Sequence, residues 1–237
     1  MNSMYEIQNL LHKQVNNARR DNPLFFKTGP GDYAEHDRFL GVPVPVVRKI
    51  AKQYAHISLQ EITVLLASRN NEERLLALFI LNLQYKKAND QERHAIYSFY
   101  MNNLKQVNNW NLVDSSAHEI IGAHLFNYNS DKNILIKLAQ STNLWERRIA
   151  IIATLYFIRT LDFSWTITLA EILLTDAHDL IHKAVGWMLR EVGQKDEIPL
   201  RDFLDKHASR MPRTMLRYAI EKFSPQERAL YMHAGRN

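Results

Sequence analysis

Apolar side chains recur along most of this chain every three to four residues. In EERLLALFILNLQY, residues 72–85, Leu75, Leu76, Phe79 and Leu83 fall at i, i+1, i+4 and i+8, and the charges are expected on the opposite side. The same period predicts helices over residues 4–20, 44–55, 58–67, 90–103, 111–125, 131–139, 144–159, 164–175, 178–192, 197–207, 213–222 and 225–233. No segment alternates with period two among strand-forming residues.

The breaks carry helix-start chemistry. Ser58 precedes LQE, Asn129 and Ser130 precede an apolar run, and Ser224-Pro225 supplies a cap and a first turn. Alanines sit centrally in four of the segments, at Ala77, Ala117, Ala150 and Ala184, separated by 40, 33 and 34 residues. That is the length of one antiparallel helix pair. The expectation is an all-α chain, an α-solenoid of degenerate HEAT-like helix pairs forming one domain over residues 1–237. The irregular region is residues 22–45, NPLFFKTGPGDYAEHDRFLGVPVP, with four of the seven prolines and three of the seven glycines. Its Phe and Tyr side chains need burial, so it reads as a loop or short-helix region capping the solenoid and not as a domain linker.

Composition narrows the class. A length of 237 residues, 46% hydrophobic and 23% charged, suits a globular chain with a sizeable core. Few glycines and prolines disfavour a turn-rich β fold. With no cysteine, disulfides and thiolate metal sites are excluded. The first 20 residues lack the apolar core of a secretory signal, and no apolar run approaches the roughly 20 residues that span a bilayer. A cytosolic location without membrane attachment is the expectation. The net charge of +5 and pI of about 9.3 favour a polyanionic partner without specifying one.

Chemistry concentrates in NNWNLVDSSAHEIIGAHL, residues 108–125. Trp110 and Asp114 lie four apart, hence on one helix face one turn apart. Taken alone they also suit a core aromatic and an exposed helix-start acid favoured by the macrodipole. In NLWERRIAI, Arg147 and Arg148 stand at a helix start, where cations are not favoured. In KAVGWMLRE, Trp187 follows Gly186 in mid-helix, where a glycine costs about 1 kcal/mol relative to alanine and points to close packing or access. Stacked repeats would place Asp114, Arg148 and Trp187 on equivalent helices. Aromatic faces accommodate cationic or planar groups, arginines hold phosphates, and a carboxylate stabilises positive charge developing in a transition state. N-glycosidic cleavage develops such charge on the sugar. The ten histidines form no metal pattern: His178 and His182 lack an intervening glutamate, and His118 and His124 are six apart. TGPGD lacks the Lys-Ser/Thr of a phosphate-binding loop.

NNWNLVDSSAHEIIG, LWERRIAIIATL, KAVGWMLREVG and MPRTMLRYAIEKF together resemble the bacterial AlkD-type DNA alkylation repair enzymes, HEAT-like-repeat DNA glycosylases. The resemblance runs from RFLGVPVPVVRKIAK to Phe223, with four motifs in the same order. It implies a concave, basic, DNA-facing surface. It also implies a monofunctional glycosylase acting without a cofactor or metal, excising N3- and N7-alkylated purines from duplex DNA without enclosing the base in a pocket. Residue by residue, Trp110 and Asp114 match the family's W-x-x-x-D element, Arg148 its W-x-x-R element, and Trp187 the tryptophan of G-W-x-L-R-E. Asp114 would stabilise the sugar cation and position water, the tryptophans would pack against the sugar, and Arg148 would hold a phosphate. Asn111 stands where many relatives carry aspartate, and Pro43 and Val44 replace polar residues that some relatives use near the opposite strand.

Arg147, Lys183, Arg190, Arg213 and Arg217 lie in or beside these motifs and are the candidate DNA-binding cations; several acting together would make binding fall steeply with salt. Arg210 and Arg213 flank Met211-Pro212 at a helix start, where backbone N–H groups point outward. The expected partner is double-stranded DNA with alkylated bases, bound by a monomer without an obligatory protein partner. Two other functions fit the same architecture: a non-catalytic HEAT-repeat protein binding damaged or branched DNA, and a protein-interaction scaffold.

Overall fold

The computed structural model describes residues 3–15 and 26–233; the end of the first expected helix and the start of the irregular segment lie outside the described residues. Those residues are helical throughout except for connections and one isolated bridge between Arg38 and Asn70. Two compact units divide the chain, Met1–Ser116 and Ala117–Asn237.

The first unit contains α1 (Ser3–His12), α2 (Val44–Gln53), α3 (Leu59–Leu66), α4 (Asn71–Lys87), α5 (Asp90–Asn102) and most of α6 (Trp110–Ala117). Ser58 caps α3 and Asn89 caps α5, each in a reciprocal box with Glu61 or Glu92. Helix α4 is the centre, packed on both α2 and α3. Its charges do not form an exposed face as the stripe suggests. Glu72, Glu73 and Arg74 are 6%, 2% and 3% exposed, because the segment before α2 folds over the start of α4 and engages Glu72 and Arg74, while α1 engages Glu73.

The Glu72 carboxylate accepts the N–H groups of Leu40 at 2.9 Å, Gly41 at 2.8 Å and Val42 at 3.3 Å. Glu73 accepts from Gln8 at 3.1 Å and Asn70 at 2.9 Å, and lies 3.0 Å from His12. Burial raises the Glu73 pKa, but these hydrogen bonds outweigh it and hold the carboxyl below its ordinary value. Arg74 pairs with Asp37 and donates to the Ser68 carbonyl at 2.9 Å. The described residues before α2, 26–43, are therefore a strap tied to α4.

The second unit continues α6 through a π turn, His118–Gly122, into α7 (Ala123–Asn127). It then adds α8 (Asn133–Ala139), α9 (Leu144–Arg159), α10 (Ser164–Ile172), α11 (Asp179–Lys195), α12 (Glu197–His207), α13 (Arg213–Ala219) and α14 (Pro225–His233). The π turn packs on α9, α9 on α11 and α11 on α13, while α8, α10 and α12 flank them. Serial stacking of this kind is the arrangement expected of solenoid repeats. Ala150 and Ala184, like Ala77 and Ala117, are fully buried at the positions where neighbouring helices approach.

Two crossings are tighter still. A Cβ on Gly122 would lie 2.9 Å from the Tyr156 Cβ, and closer to the Ala153 carbonyl. One on Gly186 would lie 2.5 Å from the Tyr218 Cβ, and closer to the Met215 carbonyl. Close packing is thus the reason for the mid-helix glycine beside Trp187. At Asn129-Ser130 the start differs from expectation: Asp131 accepts the Asn133 N–H at 2.9 Å, and α8 begins there.

Candidate functional site

Trp110 and Asp114 occupy the first two turns of α6, and both are half-buried. Asn109 precedes the helix. Its carbonyl accepts the N–H groups of Leu112 and Val113 at 3.1 Å each, and its side-chain oxygen accepts that of Trp110 at 2.7 Å. Trp110 stacks on Phe26 with ring centroids 5.1 Å apart, and Phe26 stacks on Phe39 at 4.3 Å. The three half-buried rings run nearly parallel, at 16° and 28°. The aromatics of the strap thus find their burial against the tryptophan of α6.

A buried polar network lies beneath them. Asp37 accepts from Asn71 at 2.8 Å and from Asn109 at 2.7 Å, pairs with Arg74, and has His36 at 3.2 Å. Asn111 donates to the Asn71 side-chain oxygen at 2.6 Å and accepts in return at 3.4 Å. The two amides thus form a reciprocal pair. Sequence reading did not single out Asp37, Asn71, Arg74 or Asn109. The available signal was the polar run SRNNEER heading an otherwise apolar helix.

In the second unit one turn device recurs. Ser141 and Asp176 each accept the N–H of the cap residue two positions on, Asn143 at 3.0 Å and His178 at 2.8 Å. The residue six positions on bonds back to the same turn: Arg147 to the Ser141 carbonyl at 3.1 Å, and His182 to the Asp176 carbonyl at 2.5 Å. Ser68, Asn70 and Arg74 repeat the pattern in the first unit. Arg147 additionally pairs with the buried Asp176 at 2.6 Å and donates to the Thr142 carbonyl at 3.0 Å. Satisfying these carbonyls is what offsets a cation at this helix start.

Counted from the residue before each helix, Asp114, Arg148, Lys183 and Arg217 share one register, the fifth position of α6, α9, α11 and α13. Trp187 lies one turn beyond Lys183. Asp114 belongs to the first unit and the cations to the second. Arg148 is 5% exposed and donates to the Leu180 carbonyl at the start of α11. Lys183 pairs with Asp179 at 2.8 Å. Burial raises the Asp179 pKa, but hydrogen bonding and charge from Lys183, with Thr214, bring it below the ordinary value. Arg190 pairs with Glu221. The Trp187 indole N–H donates to Glu191 at 2.9 Å. Arg213 and Arg217, one turn apart on α13, are exposed and have no acidic partner among the described residues. Among those residues no group of three or more His, Asp or Glu is placed to hold a metal, and no helix is long and apolar enough to cross a membrane.

The profile of the family described as "DNA alkylation repair enzyme" matches residues 7–223. A solved structure titled "Predicted DNA alkylation repair enzyme from Enterococcus faecalis" superposes with a TM-score of 0.65 at 17% identity, covering 87% of this chain and 98% of that one. At that identity the likeness bears on the fold. No curated protein sequence matches the chain.

Proposed function

The chain belongs to the DNA alkylation repair enzyme family, and on that premise we propose that it is a DNA glycosylase hydrolysing the N-glycosidic bond of N3- and N7-alkylated purines in duplex DNA. The observation that carries the reading is the pairing on α6. An acid and a large aromatic share one face at the start of a helix whose first turn is fixed from below by Asp37 and Asn71.

Alkylation at N3 or N7 gives the base a positive charge, so it departs as a neutral purine and takes the bonding electrons with it. No acid is needed for the leaving group. Positive charge appears at C1′ of the deoxyribose, and the Asp114 carboxylate stabilises it there. Water adds to C1′ and loses its proton to Asp114 or to solvent, leaving an abasic site. Trp110 packs against the sugar, and its ring face tolerates the cation.

Lys183, Arg213 and Arg217 fall to the phosphates, and Arg148, 5% exposed and bonded to the Leu180 carbonyl, would exchange that carbonyl for one. The exposed pair on α13 supplies unneutralised charge, while Lys183 and Arg190 would exchange Asp179 and Glu221 for phosphate oxygens. Arg147, engaged with Asp176 and two carbonyls, shapes the turn and adds charge behind it. Trp187, one turn beyond Lys183 on α11, offers the DNA backbone an apolar surface beside that cation. Binding is proposed for the monomer, without cofactor.

Incubation with methylated duplex DNA, followed by chromatography of the freed bases, tests the reading. Release of 7-methylguanine or 3-methyladenine with matching abasic sites is expected in the presence of chelator. Tight binding of methylated DNA with no base released would replace the enzyme by a damage-binding protein.

A further inference from the structure

Building on the glycosylase reading of Trp110 and Asp114, we propose that Asp37 and Asn109 are positioning residues for that pair, with Asn71 and Asn111 as the second tie. Asn109 departs from the capping seen at comparable helix starts. Asn143 and His178 accept the N–H two residues on, from Trp145 at 2.8 Å and Leu180 at 3.1 Å. Asn109 turns its oxygen to the N–H of Trp110 itself and sends its amide donor inward to Asp37. The side chain is fully buried, so both halves of the amide need partners.

On the far side of Trp110, Asn111 is clamped to Asn71, which donates to the same Asp37 oxygen as Asn109 does. The tryptophan is thus bracketed by two side chains that converge on one buried carboxylate. That carboxylate is held in turn by Arg74 from α4. The ring is braced on its face by Phe26, itself backed by Phe39. Asp114 is one turn further along the same helix, so its height is set by the same anchor. The carboxylate and the three amides are each held by more than one bond, which favours one arrangement, and removing a link leaves a buried donor or acceptor unpaired.

Asn109→Ser separates positioning from capping. Serine is as good a cap as asparagine, but its single short hydroxyl lacks the reach of the amide that donates to Asp37. A residue that only caps would be replaced without effect. Two readouts apply to the folded full chain: the single-turnover rate of base release against the DNA dissociation constant, and the indole N–H resonance of Trp110, assigned by its loss in Trp110→Phe. Misplacement of reacting groups by about 1 Å costs on the order of 100-fold in rate. Asn109→Ser is expected to lower the rate by about 10- to 100-fold on that basis, to leave DNA affinity nearly unchanged, and to move the Trp110 resonance.

A wild-type rate with an unmoved resonance overturns the proposal, as does a loss of affinity with the rate preserved. If Asn109→Ser does not fold, Asn111→Ser removes only the half-buried tie to Asn71. It is expected to shift the same resonance and lower the rate by a smaller factor, and no change in either overturns the proposal. If the wild-type chain releases no base, the glycosylase reading fails by itself. The resonance then decides the positioning alone: movement supports it, and none overturns it.

Discussion

Replacing Gly186 by alanine should destabilise this protein even though alanine is the better helix former. The new Cβ would lie 2.5 Å from the Tyr218 Cβ and still closer to the Met215 carbonyl oxygen. Carbon contacts settle at about 3.5–4.0 Å, so α13 must move away from α11 by about 1 Å. Neither obstacle can rotate aside, since one is backbone and the other is the first carbon of a side chain. Met215, Leu216 and Ala219, the buried residues of α13, would be displaced together. Overpacking of this kind costs about 1–3 kcal/mol, while removing a mid-helix glycine returns about 1 kcal/mol. With a rigid obstacle the upper half of the range applies, leaving a net loss of about 1–2 kcal/mol. At about 2–4 °C per kcal/mol, Tm should fall by roughly 2–8 °C.

Gly193→Ala is the control. There the nearest obstacle is the terminal methyl of Leu200, which can turn, so its loss should be under about 1 kcal/mol. Thermal unfolding followed by circular dichroism decides the matter. A Gly186→Ala protein that melts at or above wild type, or a Gly193→Ala protein that loses as much, would refute the close-approach argument.

Arg213→Ala and Arg217→Ala should each flatten the log–log salt dependence of DNA binding by about 0.9; an unchanged slope removes that residue from the phosphate contacts. Glu72→Ala should leave buried N–H groups of residues 40–42 unpaired, costing about 1–3 kcal/mol; resistance of the strap to limited proteolysis equal to wild type would contradict this. His178 caps α11 through a ring nitrogen that must be unprotonated. Burial first, then the charge of Arg147 against that of Asp176, holds its pKa below 6.5. The unfolded chain therefore binds the proton first, so this stabilisation is complete above pH 6.5 and is lost as pH falls through the lowered folded value. His178→Asn keeps an acceptor at the cap and should flatten Tm against pH below 6.5; an identical pH profile would refute the assignment.

Local signals in the chain were strong enough to place most helices. The expected spans 144–159, 197–207 and 225–233 match α9, α12 and α14, because apolar period and cap chemistry agree there. The π turn left no such trace, since His118, Ile120, Ile121 and Gly122 are all buried and keep the stripe intact. Burial of Glu72, Glu73 and Arg74 was illegible for a different reason. Their partners in the strap and α1 lie some 30–65 residues away in sequence. The acid–aromatic pair of α6 was readable from four-residue spacing. What braces it was not, because Phe26, Phe39 and Asp37 reach Trp110 and Asn109 only after folding.

Single-turnover release of 7-methylguanine from methylated duplex DNA, comparing wild type with Asp114→Asn at equal DNA occupancy, tests the central claim most directly. Asparagine keeps the shape and removes the charge. Loss of one electrostatic contact to the transition state costs about 100- to 1,000-fold, so the variant should bind DNA normally and release base at least about 100-fold more slowly. Equal rates in the two proteins would contradict the role given to the Asp114 carboxylate.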